Sequence, residues 1–320
     1  MTSVLKPVPT RGGAITDLVG YASALPTPFR TDDIDDAAFE ALCAWQIEAG
    51  ITGLVVCGTT GEAPTLSPAE QRHLVRRAAE VARGRVPVIA GAGANDTRHA
   101  IELARGAAEA GADALLVVVP YYNRPPQEGL YRHFRAVHDA VDIPVLLYDV
   151  PSRTGCALAD ETVVRLAQLP RIVGLKDATG DLARPARLRA LVGARFRLLS
   201  GDDASALGFL ARGGDGCISV VSNVAPALCV AMHAAWCAGD LVQAEALSLS
   251  LAKLSRVLFL ESNPVPVKHA LGRMGLMSEA VRLPLCEAHP ATRRAIATCL
   301  RELALERRPP APRRRLAIVG

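Results

Sequence analysis

The sequence predicts an α/β protein, a (β/α)8 TIM barrel carrying a C-terminal helical appendage. Three observations lead there. Short apolar runs alternate with longer amphipathic stretches, and there are eight of each. Several runs are apolar on both faces, Leu115-Leu116-Val117-Val118-Val119 among them, which marks parallel strands covered on both sides. Residues 20–239 nearly supply the roughly 250 residues that a closed eightfold barrel needs. A doubly wound open sheet also fits strict alternation, and the count of eight favours the barrel.

The predicted strands are Tyr21–Leu25, Gly53–Cys57, Val86–Ala90, Ala114–Val119, Pro144–Tyr148, Ile172–Leu175, Arg197–Leu199 and Gly216–Val220. The first helix, Asp35–Ala49, opens on acids and stops at Gly50. The second, Ser67–Arg83, opens Ser-Pro-Ala-Glu, an N-cap with proline at the first helical position and glutamate at the third. Thr97–Ala110 stops at Gly111, and Gln127–Val141, Asp160–Gln168, Asp181–Leu191, Ala204–Ala211 and Ala225–Ala238 follow. After Gly239 the alternation ends. Asp240–Leu260, Val267–Met274 and Pro290–Glu306 read as helices with no strand between them. The expected organisation is an N-terminal extension (1–19), the barrel (20–239), the helical appendage (240–306) and a flexible tail (307–320).

Composition narrows the function classes. The chain has 320 residues, half of them apolar and 21% charged, which suits a large buried core and excludes disorder for its body. The net charge of +4 belongs to the tail, where Arg307, Arg308, Arg313, Arg314 and Arg315 stand without an acid. The body is near neutral, so no nucleic-acid surface is expected. The eight cysteines form no C-x-x-C pair and lie singly in apolar stretches, the usage of a reduced cytoplasmic protein. Met1–Gly13 has no apolar core of a secretory signal. The uncharged run Gly216–Gly239 contains Ser222-Asn223 and Pro226, a loop between two elements, so no membrane span is expected. Only four of the 36 basic residues are lysines: Lys6, Lys176, Lys253 and Lys268. A lysine retained in so arginine-rich a chain is a candidate for chemistry that arginine cannot perform.

In such a barrel chemistry sits at the C-terminal ends of the strands. After the sixth strand comes Gly174-Leu175-Lys176-Asp177-Ala178-Thr179-Gly180. Burying a lysine ammonium favours the neutral amine that attacks a carbonyl carbon. An ion pair with Asp177 is the competing structural reading. After the fifth strand, Tyr148-Asp149-Val150-Pro151-Ser152-Arg153-Thr154-Gly155 offers a tyrosine for proton transfer and an arginine for bidentate grip on a carboxylate. A turn with a capping tyrosine and a solvated arginine is the plainer alternative. Gly58-Thr59-Thr60-Gly61-Glu62, after the second strand, exposes backbone N–H groups suited to a carboxylate or phosphate, or is a simple threonine-capped turn. Gly91-Ala92-Gly93-Ala94-Asn95 is a weaker signal of the same kind. Pro120-Tyr121-Tyr122-Asn123-Arg124-Pro125 presents paired tyrosines to a substrate or, as the plainer reading, to another subunit. The seven histidines show no metal spacing, and neither a metal nor a cofactor is expected.

Taken together and in this order, these motifs, with Leu199-Ser200-Gly201-Asp202-Asp203 and Asn263-Pro264-Val265-Pro266-Val267-Lys268, resemble the dihydrodipicolinate synthase / N-acetylneuraminate lyase family of pyruvate-dependent class I aldolases. The resemblance runs from about residue 18 to residue 300. It implies a Schiff base between Lys176 and pyruvate, with Thr60 and neighbouring N–H groups on the pyruvate carboxylate. Ile218 and Gly201 would line the pyruvate pocket. Tyr148, Thr59 and Tyr122 would form a proton relay, Tyr122 arriving from a neighbouring subunit. That implies a homo-oligomer, a tetramer built as a dimer of dimers. Arg153 would hold the carboxylate of L-aspartate 4-semialdehyde, and the product would be 4-hydroxy-tetrahydrodipicolinate, on the route to lysine and diaminopimelate.

Within the family, Pro151-Ser152-Arg153-Thr154-Gly155 favours this condensation over cleavage or dehydration of a sugar-derived keto acid, the runner-up activity. A non-catalytic keto-acid-binding barrel is the remote alternative. Asp149 stands where the family commonly has asparagine and Asp177 where it commonly has glutamate, each an extra or altered carboxylate expected near the mouth. Lysine-inhibited members carry a histidine and a glutamate around an interface pocket. The matching positions here are the segment Ser67–Gln71 and His99, while Asn95 and Tyr121 are retained. The resemblance therefore implies weak or absent inhibition by lysine.

Overall fold

The computed structural model describes residue 15 and residues 18–306. The expected N-terminal extension lies almost wholly, and the arginine-rich tail entirely, outside the described residues. Eight parallel strands close a barrel: β1 (Gly20–Ala24), β2 (Gly53–Val56), β3 (Val88–Gly91), β4 (Ala114–Val118), β5 (Val145–Asp149), β6 (Ile172–Asp177), β7 (Arg197–Ser200) and β8 (Gly216–Ser219). β1 pairs with both β2 and β8, with Ala22 opposite Gly53 on one side and Ile218 on the other. Closure leaves no strand edge unpaired.

The apolar character on both strand faces has a direct cause. Ala22, Ala24, Val55, Ile89, Ala114, Leu116, Leu146, Leu199 and Ile218 fill the barrel interior. Their neighbours Leu54, Val56, Val88, Leu115, Val117, Leu147, Leu175 and Leu198 pack outward under the helices. Each fully buried Leu, Ile or Val contributes roughly 1.5–3 kcal/mol.

The outer ring is α1 (Asp36–Glu48), α2 (Pro68–Ala82), α3 (Thr97–Glu109), α4 (Gln127–Ala140), α5 (Asp160–Leu166), α6 (Arg184–Val192), α7 (Ala206–Leu210) and α8 (Pro226–Cys237). α1, α2, α3 and α8 each stop two residues before the glycine that marks their end. α2 begins with the full capping box: Ser67 Oγ accepts from Glu70 N at 3.2 Å and Ser67 N donates to Glu70 Oε2 at 2.7 Å. The appendage is α9 (Leu241–Leu258), α10 (Val265–Arg273) and α11 (Pro290–Glu302). Among the described residues no helix is long and apolar enough to cross a membrane.

Differences from the expected elements have local causes. β3 begins at Val88 because Pro87 offers the ladder an acceptor (Leu54 N to Pro87 O, 3.0 Å) but no N–H. α6 starts three residues later than its pattern, with Pro185 in its first turn. A two-residue-per-strand hairpin, Phe29–Arg30 with Asp33–Ile34, is too short to leave a period in the sequence. The stretch after β5, expected as a loop, contains one helical turn, Pro151–Thr154. Asp149, Lys176 and Asp177 lie inside their strands rather than after them.

Candidate active site

Strand alternation decides where each functional side chain points. In β5, Leu146 and Tyr148 face the interior while Leu147 faces the helices. In β6, Leu175 faces the helices, and Lys176 stands opposite Tyr148 in register. The Lys176 Nζ lies 4.3 Å from the centroid of the Tyr148 ring. Lys176 is 6% exposed, and among the described residues it forms no salt bridge. The ion pair with Asp177 weighed above does not form. One residue along the strand is the opposite face, and Asp177 there accepts from Thr179 N (2.9 Å), Thr179 Oγ1 (2.7 Å) and Arg184 Nη1 (3.4 Å).

The same geometry corrects the expectation of extra carboxylates at the mouth. Asp149 also points outward, is fully buried, and accepts from Arg184 Nη1 at 2.8 Å and Leu158 N at 3.1 Å. Burial pushes its carboxyl up from the ordinary range, and Arg184 pulls it back toward the ionised form. Neither acid meets a ligand inside the barrel.

Close packing surrounds Lys176. A Cβ on Gly201 would lie 3.1 Å from Lys176 Cε, 2.8 Å from Ala178 Cβ and 3.2 Å from the Asp177 carbonyl, so a side chain there displaces the lysine. Ile218, in β8, is 1% exposed and faces the interior. Asp203 holds the backbone just beyond it, accepting from the Ser219 hydroxyl, Val220 N (2.9 Å) and Val221 N (3.2 Å).

The Gly58–Glu62 segment folds tightly over β2, with Gly61 N and Ala63 N both donating to the Gly58 carbonyl. It can lie there because a Cβ on Gly91 would come within 2.0 Å of the Cys57 carbonyl. Thr60 is 2% exposed, and its Oγ1 accepts from Asn263 Nδ2 at 2.9 Å. That bond leaves the threonine's own O–H to point elsewhere. Glu62 is buried and accepts from Lys268 Nζ at 2.6 Å through Oε1 and from Arg282 N at 3.0 Å through Oε2. The appendage is therefore bolted to this segment at the barrel mouth.

A cavity of about 800 Å³ opens there. Tyr148, Thr59, Arg153, Tyr122 and Asn263 stand in its wall; Lys176, Thr60, Ile218 and Gly201 do not. Arg153, on the Pro151–Thr154 turn, is exposed, and among the described residues no carboxylate pairs with it. Tyr122 is 89% exposed in a left-handed backbone conformation (φ 74°). Among the described residues its hydroxyl makes no hydrogen bond with Tyr148 or Thr59, so one chain does not assemble the three-membered relay. The cavity extends past Tyr121 to His99, whose Nδ1 is 3.5 Å from Glu102 Oε2 on the same helix. Asn95 is absent from its wall; its carbonyl accepts from Asn123 Nδ2 at 2.9 Å. Among the described residues no cluster of His, Cys, Asp or Glu could hold a metal ion.

Sequence reasoning missed Arg184, hidden in the polar first turn of α6, and assigned no role to Asn263 or Asp203. Lys268 carried a signal: it is one of the four lysines, and it is fully buried.

The fold and site together make a closed (β/α)8 barrel that buries a lysine, without a carboxylate partner among the described residues, beside a tyrosine at the C-terminal ends of its strands. Residues 17–303 match the sequence profile of the Dihydrodipicolinate synthetase family, and the chain belongs to that family. It is 52% identical over 281 residues to the 4-hydroxy-tetrahydrodipicolinate synthase of Rhodospirillum centenum, covering 88% of this chain and 97% of that one. It is 58% identical over 268 residues to the enzyme of the same name from Hyphomonas neptunium, covering 83% and 92%. Among solved structures, the chloride-inhibited dihydrodipicolinate synthase of Acinetobacter baumannii, complexed with pyruvate, superposes with a TM-score of 0.87 at 44% identity, covering 90% of this chain and 99% of that one.

Proposed function

We propose that this protein condenses pyruvate with L-aspartate 4-semialdehyde to give 4-hydroxy-tetrahydrodipicolinate, the committed chemistry of lysine and diaminopimelate biosynthesis. The observation that carries the reading is Lys176: a buried lysine without a carboxylate partner among the described residues, against the Tyr148 ring, in a member of this family. The Lys176 amine adds to the keto carbon of pyruvate and water leaves. The resulting iminium draws electrons from the methyl group, which loses a proton to form an enamine. The enamine carbon attacks the aldehyde carbon, and the substrate's own amine then displaces Lys176 and closes the six-membered ring.

Tyr148 moves the protons in these steps. A lone tyrosine is a poor base near neutrality, so Thr59 and Tyr122 of a second copy complete its hydrogen-bonded relay. The exposure of Tyr122 supports an assembly of at least two copies, and we place it as a tetramer of two such dimers. Thr60 binds the pyruvate carboxylate, with Ile218 and Gly201 closing the pocket. Arg153, at the cavity wall and without a carboxylate partner among the described residues, takes the carboxylate of the aldehyde substrate. All eight cysteines are free thiols, in keeping with a cytoplasmic location.

Incubation with pyruvate and borohydride, followed by peptide mass spectrometry, tests the reading. A reduced pyruvyl adduct on Lys176 is expected; its absence overturns the Schiff-base chemistry. A panel of aldehydes then reports the second substrate, and preference for a sugar-derived aldehyde would overturn the assignment of Arg153. Inhibition by free lysine is expected to be weak: His99 occupies the cavity wall, its carboxylate neighbour Glu102 is directed at that histidine and largely exposed, and Glu62, also in the wall, is engaged by Lys268 and Arg282. Strong inhibition at millimolar lysine would show that another group supplies the negative charge.

A further inference from the structure

We infer that Arg184 is a positioning residue that fixes the Lys176–Tyr148 pair from outside the barrel. The inference rests on the Schiff-base reading above. Arg184, the first residue of α6, is 3% exposed. Its Nη1 donates to Asp149 Oδ2 at 2.8 Å and to Asp177 Oδ2 at 3.4 Å, its Nε to Asp160 Oδ1 at 2.9 Å, and its Nη2 to the Leu158 carbonyl at 2.6 Å.

Asp149 follows Tyr148 in β5, and Asp177 follows Lys176 in β6. The two acids are themselves register partners, one step beyond the Tyr148–Lys176 pair. One guanidinium group therefore grips both strands at the residues adjoining the reacting pair. Backbone bonds brace the same ends: Ala178 N donates to the Asp149 carbonyl at 2.9 Å across β5 and β6, and Gly201 N to the Asp177 carbonyl at 2.6 Å from the end of β7.

Register matters here for a specific reason. The β5–β6 pairing already shifts by one residue between Val145 and Leu146, where Ile172 and Gly174 are the successive partners. A further one-residue shift would turn Lys176 out of the barrel and Asp177 in. The clamp lies downstream of that irregularity, where the register must be held. Stability alone is a poor account of it. Burying one guanidinium with two acids costs desolvation that hydrophobic side chains of the same volume would not. A planar fork that meets two strands, a loop carbonyl and a third carboxylate also holds distances that lysine's single nitrogen cannot.

The test uses the full-length protein and measures condensation turnover per borohydride-titratable site, which discounts unfolded molecules. Arg184→Lys and Asp177→Asn are expected to lower that turnover tenfold or more, with the KM for pyruvate changed less than threefold. Arg187→Met, which removes a half-exposed arginine on the same helix that also pairs with Asp160, keeps wild-type turnover. If Arg184→Lys does not fold, Asp177→Asn decides, since asparagine retains an acceptor for Thr179. Turnover per site within twofold of wild type, however far the melting temperature falls, overturns the inference. If the wild-type protein itself forms no adduct on Lys176, the functional reading fails and takes this inference with it.

Discussion

Among the described residues two lysines are buried, and they differ in whether a carboxylate meets the ammonium. Lys268 is fully buried with its Nζ 2.6 Å from a Glu62 carboxylate and 4.3 Å from the Phe29 ring centroid. Lys176 is almost as buried, touches an aromatic ring at the same distance, and among the described residues has no carboxylate partner. Burial is common to both, so burial alone does not make a nucleophile. Burial pushes the Lys268 ammonium down from its ordinary range and the Glu62 carboxylate opposes that shift. Glu62 also occupies the Lys268 Nζ and so joins two parts of the fold, whereas among the described residues no carboxylate occupies the Lys176 Nζ.

Substituting each lysine gives the largest contrast. Lys176→Arg is expected to abolish the pyruvate adduct and to lower turnover by on the order of 10³-fold or more, with the fold intact. Lys268→Met is expected to keep adduct formation in the protein that folds, but to cost about 3–5 kcal/mol of stability, because Glu62 is left buried without a cation. Adding Glu62→Gln should recover part of that loss. Adduct mass spectrometry and urea denaturation read the two effects separately, and an active Lys176→Arg protein would break the comparison outright.

Tyr148→Phe comes next. The ring that lies against Lys176 is kept and only the hydroxyl is lost, so the lysine's surroundings stay apolar while proton transfer suffers. Turnover should fall by about 10²- to 10⁴-fold, with pyruvate still trapped under borohydride. Arg153→Ala should leave trapping unchanged and lower kcat/KM for aspartate semialdehyde by roughly 10- to 100-fold, the value of one charge-assisted interaction of about 1.5–3 kcal/mol. Steady-state kinetics with the aldehyde varied at saturating pyruvate check both.

The contrast between the lysines also explains what was legible in the sequence. The barrel was, because eight runs apolar on both faces have few other uses. So was the placement of Lys176, Tyr148 and the Gly58–Glu62 segment at the strand ends around the mouth, because the motifs are local and directly adjoin or end the apolar runs. Scarcity of lysine in an arginine-rich chain drew attention to Lys176 and Lys268 alike, without separating the one that meets a carboxylate from the one that, among the described residues, does not. That separation depends on Glu62, 206 residues away in sequence. The outward-facing clamp was hidden for a related reason: Asp149, Asp160, Asp177 and Arg184 are ordinary surface residue types until the barrel closes over them. Asp149 and Asp177 were placed at the mouth because the strands were expected to end one or two residues earlier than they do. Tyr122 marks the limit of a single chain: the sequence offers a substrate or another subunit as its partner, and one chain leaves it exposed.

The smallest expected effect concerns the far side of the Lys268 bolt and sharpens the comparison. Arg282, stacked 4.4 Å from the same Phe29 ring, donates to Glu70 Oε1 at 2.5 Å. That hydrogen bond, aided by Ser67, holds the Glu70 carboxyl down at about 2. The folded-state value is therefore below the ordinary value of about 4.3 in an unfolded chain. A group of this kind adds stability that is complete above the unfolded value and is lost as pH falls through the folded one, here between about pH 5 and pH 2. Glu70→Gln removes the charge while glutamine at the third helical position keeps the capping box. Because the pair is partly solvated, the loss at neutral pH should be about 1 kcal/mol, well under the linkage maximum. The gap between wild type and variant should close as acid denaturation is approached. A gap that stays constant from pH 7 to pH 3, measured by urea denaturation, would mean that the Glu70 charge contributes nothing and that the bonds to Glu62 and Thr60 secure the appendage without it.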